Sequence, residues 1–215
     1  MASIPPKFTD LRLEQSLVTA RSVIPVQNDD WILHSGIKTL DQIFQSSKSG
    51  DLIEWGIPPG LNGRLIPLQF LKKDIPASVW IYHHQNLSVF ASSWISHGVN
   101  LDRLFFIGSD HPVKQLRPLF LDDCFQRIII DSPRLFSTGD MAFVSHQARK
   151  KGVIVFLIRR YFLSAKRGNP YASLRLNAWQ NSHEDFVIQT IKAHATRRHI
   201  IRRHEFLFDE RLYDE

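Results

Sequence analysis

Residues 56–65 read Gly56-Ile57-Pro58-Pro59-Gly60-Leu61-Asn62-Gly63-Arg64-Leu65, a glycine-punctuated stretch between an apolar run and a helix-like one. Such a stretch cradles phosphate when it is spaced Gly-x-x-x-x-Gly-Lys-Ser/Thr. Main-chain N–H groups then line the anion, the lysine reaches its terminal oxygens and the hydroxyl holds Mg²⁺. With Gly63 as the last loop glycine, Arg64 stands at the lysine position and Leu65 at the hydroxyl position, while Pro58 and Pro59 each remove a donor. A guanidinium can meet phosphate, but a leucine coordinates no metal. The expectation is a loop that joins strand to helix, with no catalytic residue, no metal and no cofactor.

Other chemistry-bearing residues are scattered. Arg127-Ile128-Ile129-Ile130-Asp131-Ser132 is an apolar run ending in a carboxylate, a pattern that serves as a metal-supporting strand end or as a simple strand exit. His83 and His84 are adjacent on an extended segment, where neighbouring side chains point to opposite faces, so the pair does not chelate. Two basic clusters stand out: Arg159, Arg160, Lys166 and Arg167 around Tyr161 and Phe162, then Lys192, Arg197, Arg198, Arg202 and Arg203 around Ile200 and Ile201. Both are read as contacts for DNA phosphate or an acidic partner surface, which share the same chemistry; a charge-protected edge strand is the plainer reading of the second. No Gly-x-Ser-x-Gly, metal-ligand helix or paired catalytic carboxylates support a hydrolase.

The elements that must position these residues follow from patterning. The chain has 215 residues, 43% hydrophobic and 22% charged, with a formal charge of +6, and a pI near 9.6. That suits one core and an anionic partner. Cys124 is the single cysteine, so no internal disulfide forms, and no zinc spacing exists despite ten histidines. Neither a signal peptide nor an apolar run of about 20 residues is visible, which predicts a cytoplasmic protein away from membranes. Residues 1–30 read as an N-terminal extension with a short amphipathic helix (Leu11, Leu13, Leu17 and Val18), and residues 31–215 as the core domain. A further helix ends near Phe44.

Strands are predicted over residues 52–55, 78–82, 104–107, 127–130 and 152–158, alternating with helices over 63–72, 88–97, 113–122 and 139–150. That alternation predicts an α/β fold: a mostly parallel central sheet flanked by helices. Strand-like runs at 171–179, 186–193 and 199–208 predict an antiparallel C-terminal extension.

Gly36-Ile37-Lys38-Thr39-Leu40-Asp41, then Gly50-Asp51-Leu52-Ile53-Glu54, is similar to the approach to a RecA-like core, in which a Gly-x-x-x-Leu-Asp turn leads to the strand that delivers the phosphate loop. Residues 98–107 and Tyr171-Ala172-Ser173-Leu174-Arg175-Leu176 resemble later segments of that family, in order. The resemblance places Gly56, Gly60, Gly63, Arg64 and Leu65 at degenerate nucleotide-loop positions. It places Asp131 at the metal-supporting strand end, and His84 where the family carries the glutamate that orients water. The degenerate loop, the Val79-Trp80-Ile81 strand and the late basic strand most resemble ImuA-type proteins.

That resemblance implies a non-catalytic accessory protein of DNA-damage-induced mutagenesis. Its partners would be an inactive Y-family polymerase homologue and an error-prone replicative polymerase; RecA, DNA and self-association stay open. Two alternatives also stay open: an active RecA-type ATPase using Arg64 and Asp131, and a SulA-like inhibitor of cell division.

Overall fold

Ile128-Ile129-Ile130 and Ile154-Val155-Phe156-Leu157-Ile158 carry no polar alternation, the mark of strands covered on both faces. The computed structural model describes residues 33–72, 76–83, 91–191 and 196–206, and in it every residue of β1 (Leu52–Gly56), β4 (Arg127–Asp131) and β5 (Ile154–Arg159) is buried. With β2 (Ser78–Tyr82), β3 (Leu104–Gly108), β6 (Leu174–Gln180), β7 (Phe186–Ile191) and β8 (Thr196–Ile201) they form one eight-stranded sheet, ordered β3-β2-β4-β5-β1-β6-β7-β8. β7 is antiparallel to both of its neighbours; the other pairings are parallel. The predicted mostly parallel α/β sheet with an antiparallel C-terminal extension is the architecture observed.

Alternate side chains of the central strands feed two cores. Ile53, Trp55, Ile129, Phe156 and Ile158 pack under α1 (Lys38–Phe44) and α2 (Leu65–Leu68). Here Phe44 lies 5.5 Å from Trp55 and 4.8 Å from Phe70, while Phe156 is 5.9 Å from Trp55. Leu52, Ile128, Ile130, Val155 and Leu157 face the other way. They pack against α4 (Pro112–Gln115), α5 (Arg117–Leu121) and α6 (Thr138–Lys151). The remaining helices are α3 (Ala91–Ile95) and α7 (Arg203–Phe206).

Several predicted boundaries are corrected, each for a local reason. The helix expected over 63–72 is one α-turn followed by a 3₁₀ turn, Gln69–Leu71. The Gln69 side-chain amide donates to the Leu65 carbonyl at 2.8 Å, the acceptor that its own N–H would use in a continuing α-helix. The helix expected over 113–122 breaks at Leu116, because Pro118 supplies no N–H to a continuous helix. The 152–158 strand starts at Ile154 because Gly152, at φ +67°, caps α6. The 171–179 strand likewise starts later, at Leu174. The strand expected over 199–208 stops at Ile201. There the Glu205 carboxylate accepts the Arg202 N–H at 2.9 Å and starts α7, turning Phe206 back to within 4.1 Å of Phe186. The expected N-terminal helix lies outside the described residues.

One polar contact is enclosed within the second core. Glu54 of β1, fully buried, receives the Arg159 Nε of β5 at 3.0 Å and the backbone N–H of Asn169. The guanidinium sits 5.4 Å from the Phe136 ring centroid and reaches Met141 Sδ at 3.6 Å. Arg159→Ala would strand a buried carboxylate and is expected to lower stability by about 3–5 kcal/mol in urea unfolding, whereas joint replacement of Glu54 and Arg159 by Met is milder. Equal losses in the single and double variants would contradict this coupling.

Candidate functional site

β1, β4 and β5 end side by side, and the segments leaving them share one edge of the sheet, the usual location of ligand crevices in open α/β folds. The glycine loop leaves β1, Asp131 ends β4, and β5 lies between them, with Gly56 level with Arg159 and Asp131 level with Ile158.

Each loop glycine has a local structural reason. A side chain on Gly56 would run into the Asn177 carboxamide and come within 2.7 Å of the Tyr161 carbonyl; one on Gly63 would collide with the Ala178 carbonyl of β6. Gly60 faces open space but has φ +77°, so its requirement is conformational. The loop leans on β6: Gln180 N–H donates to the Leu61 carbonyl at 2.7 Å and Asn62 Nδ2 to Gln180 Oε1 at 2.8 Å. Leu65 packs against the first core. Its backbone begins a helix of four residues.

Arg64 and Asp131, 67 residues apart, occupy one another. Nε donates to Oδ2 and Nη2 to Oδ1, both at 2.9 Å, the forked geometry of a guanidinium on a carboxylate. Nη2 also donates to Ser132 Oγ at 2.9 Å, and that hydroxyl donates to Asp131 Oδ1 at 2.7 Å. Ser132 takes φ +53° to close this ring. The Asp131 side chain is 0% exposed and that of Arg64 23%. The Arg64 guanidinium and the Asp131 carboxylate thus neutralise each other where the loop after β1 meets the end of β4.

Sequence reading missed Ser132, whose only signal is the Asp-Ser pair at a strand exit. The His83 ring is buried just past β2, with Nε2 2.9 Å from Asp110 Oδ1 but outside hydrogen-bond geometry. His84 lies outside the described residues. Among those residues, no group of three or more His, Cys, Asp or Glu side chains is placed to hold a metal.

The two basic clusters do not survive as two continuous patches. Arg159 is a correction: its pairing with Glu54 removes it from the surface. Arg160, Lys166 and Arg167 are exposed, and the Arg167 guanidinium lies 3.7 Å over Tyr161. Strand alternation separates the second cluster. Arg197 is opposite Thr190 on the α1 side of the sheet, whereas Arg198 is opposite Gln189 on the other side, 6.0 Å over Trp179. Arg202 lies 3.6 Å from Asp185, and Arg203 is ion-paired with Glu184. Lys192 lies outside the described residues.

The site thus defines a class: an α/β sheet protein whose glycine loop is closed by a loop-to-strand ion pair. No protein-family model and no curated protein matches the chain. Among the described residues no helix is long and apolar enough to cross a membrane.

Arg64→Ala is expected to cost about 3–5 kcal/mol by stranding buried Asp131. Arg64→Lys, which keeps the charge but loses the fork, should cost roughly 1–3 kcal/mol. Chemical denaturation measures both. A neutral Arg64→Ala would mean that the pair does not hold the crevice.

Proposed function

We propose that this chain is a RecA-like protein of the ImuA type, a non-catalytic scaffold in DNA-damage-induced mutagenesis. The observation that carries the reading is the Arg64–Asp131–Ser132 ring. It engages the two charged positions that the family resemblance assigns to phosphate and metal, and Leu65 supplies no hydroxyl beside them. The strand arrangement supports the same reading. The glycine loop and the Asp-ended strand leave one sheet edge with a single strand between them, and an antiparallel strand extends the far side.

On this reading the protein works by docking. Its partners are an inactive Y-family polymerase homologue and an error-prone replicative polymerase, in the cytoplasm. The exposed Arg160, Lys166 and Arg167 are the surface through which DNA phosphate or an acidic partner face is met.

The test is Mg²⁺-dependent ATP hydrolysis by the purified protein, run beside co-elution with the polymerase-like partner. Hydrolysis at the no-protein background together with a stable complex is the expected result. Saturable hydrolysis lost in Asp131→Asn would instead establish an ATPase whose ion pair opens, and absence of any complex would remove the scaffold.

A further inference from the structure

We propose that the polar cleft between α1 and the β7–β8 hairpin binds a phosphate-bearing ligand of mononucleotide size, with Lys48 and Arg197 as its anion contacts. The cleft lies at the opposite edge of the sheet from the glycine loop, by the start of β1 and β6, and does not depend on that loop. Its volume is about 450 Å³, within the range of roughly 300–1,000 Å³ usual for small-molecule sites.

Arg197 reaches this cleft because of strand periodicity. Arg197 and His199 alternate onto the α1 side of β8, where both line the cleft with Thr190, while Arg198 and Ile200 face away. Lys48 reaches it because its turn is anchored at several points. The Lys48 N–H donates to Asp51 Oδ2 at 2.9 Å and Ser49 Oγ to the Gly152 carbonyl at 2.5 Å. Gly50, at φ +87°, packs against the backbone of Arg149. A turn fixed in this way does not have to be ordered when a ligand arrives.

The charge balance favours an anion. Asp51 is the acidic residue lining the cleft, and its oxygens are already engaged, Oδ2 by Lys48 N–H and Oδ1 by Ser173 Oγ at 2.8 Å. Neither the Lys48 ammonium nor the Arg197 guanidinium forms an ion pair among the described residues. An ammonium and a guanidinium at one cleft suit a phosphate, whose oxygens accept from both, and Ser46 and Ser47 add hydroxyl donors. The side-chain amides of Gln42 and Gln45 offer both donors and acceptors, and Ile43 and Leu174 give apolar wall. That mixture matches a polar heteroaromatic ring attached to a phosphate better than it matches a bare carboxylate.

Calorimetric titration at low salt without Mg²⁺, with adenosine monophosphate, adenosine and inorganic phosphate as probes, tests this. The monophosphate is expected to bind saturably, adenosine at least tenfold more weakly. Lys48→Met and Arg197→Met are each expected to weaken the monophosphate roughly tenfold or more. Arg198→Met removes the same charge from the other face of the same strand and is expected to leave binding unchanged. Competition by a short oligonucleotide carrying a 5′-phosphate, set against its 5′-hydroxyl counterpart, separates a strand end from a free nucleotide as the source of the phosphate. No saturable monophosphate binding, equal binding of adenosine, or an equal loss in Arg198→Met would overturn the proposal. Unchanged thermal unfolding of the variants keeps a folding defect from being read as lost binding.

Discussion

Asp131 ends a central strand with its side chain closed off from solvent, and an ionised carboxylate in that position is tolerated only with a partner. Arg64 is that partner, and much of the local geometry follows from the need to bring it there. The chain leaves β1, turns through Gly60 and Asn62 in left-handed conformations, and presents Arg64 immediately before α2. Ser132 takes a left-handed conformation of its own so that its hydroxyl bridges the pair. The crevice at this edge is therefore filled by an internal contact rather than held open by one.

A second buried pair works similarly one strand pairing away. Glu54 on β1 and Arg159 on β5 join adjacent strands, and Glu54 also takes the Asn169 N–H, drawing the segment after β5 back over the sheet. Asn177 of β6 secures the same segment, accepting from the Leu163 N–H at 2.7 Å and donating to its carbonyl at 3.0 Å. Such close approach is why Gly56 tolerates no side chain. The glycines that look in sequence like a phosphate cradle are explained at Gly56 and Gly63 by backbone packing against neighbouring chain.

The surplus of positive charge is divided by the fold into separate roles. Arg159 is internal, Arg64 belongs to the crevice, and Arg202 and Arg203 tie α7 to the β6–β7 turn. Arg127 is enclosed at the start of β4, donating to the Phe70 carbonyl, and burial pushes its guanidinium down to about 10. Of the two basic clusters, Arg160, Lys166, Arg167, Arg197 and Arg198 stay exposed among the described residues, with Arg197 and Arg198 on opposite faces of the sheet.

The alternation of long apolar runs with helix-like stretches is enough to read the α/β class and the places of β1 to β5. A strand buried on both faces must be apolar throughout, and that requirement is local in sequence. That Leu65 brings no side-chain oxygen to the glycine loop is equally legible, because residue type alone decides it. Tertiary structure alone decided what the charged residues do. Arg64 and Asp131 are distant in the chain, Arg159 looks like its exposed neighbour Arg160, and Arg197 and Arg198 differ only in which way a pleated strand turns them. Whether a charge is spent on an internal partner or left to meet an external one depends on contacts between segments far apart in sequence, which residue type and spacing do not encode.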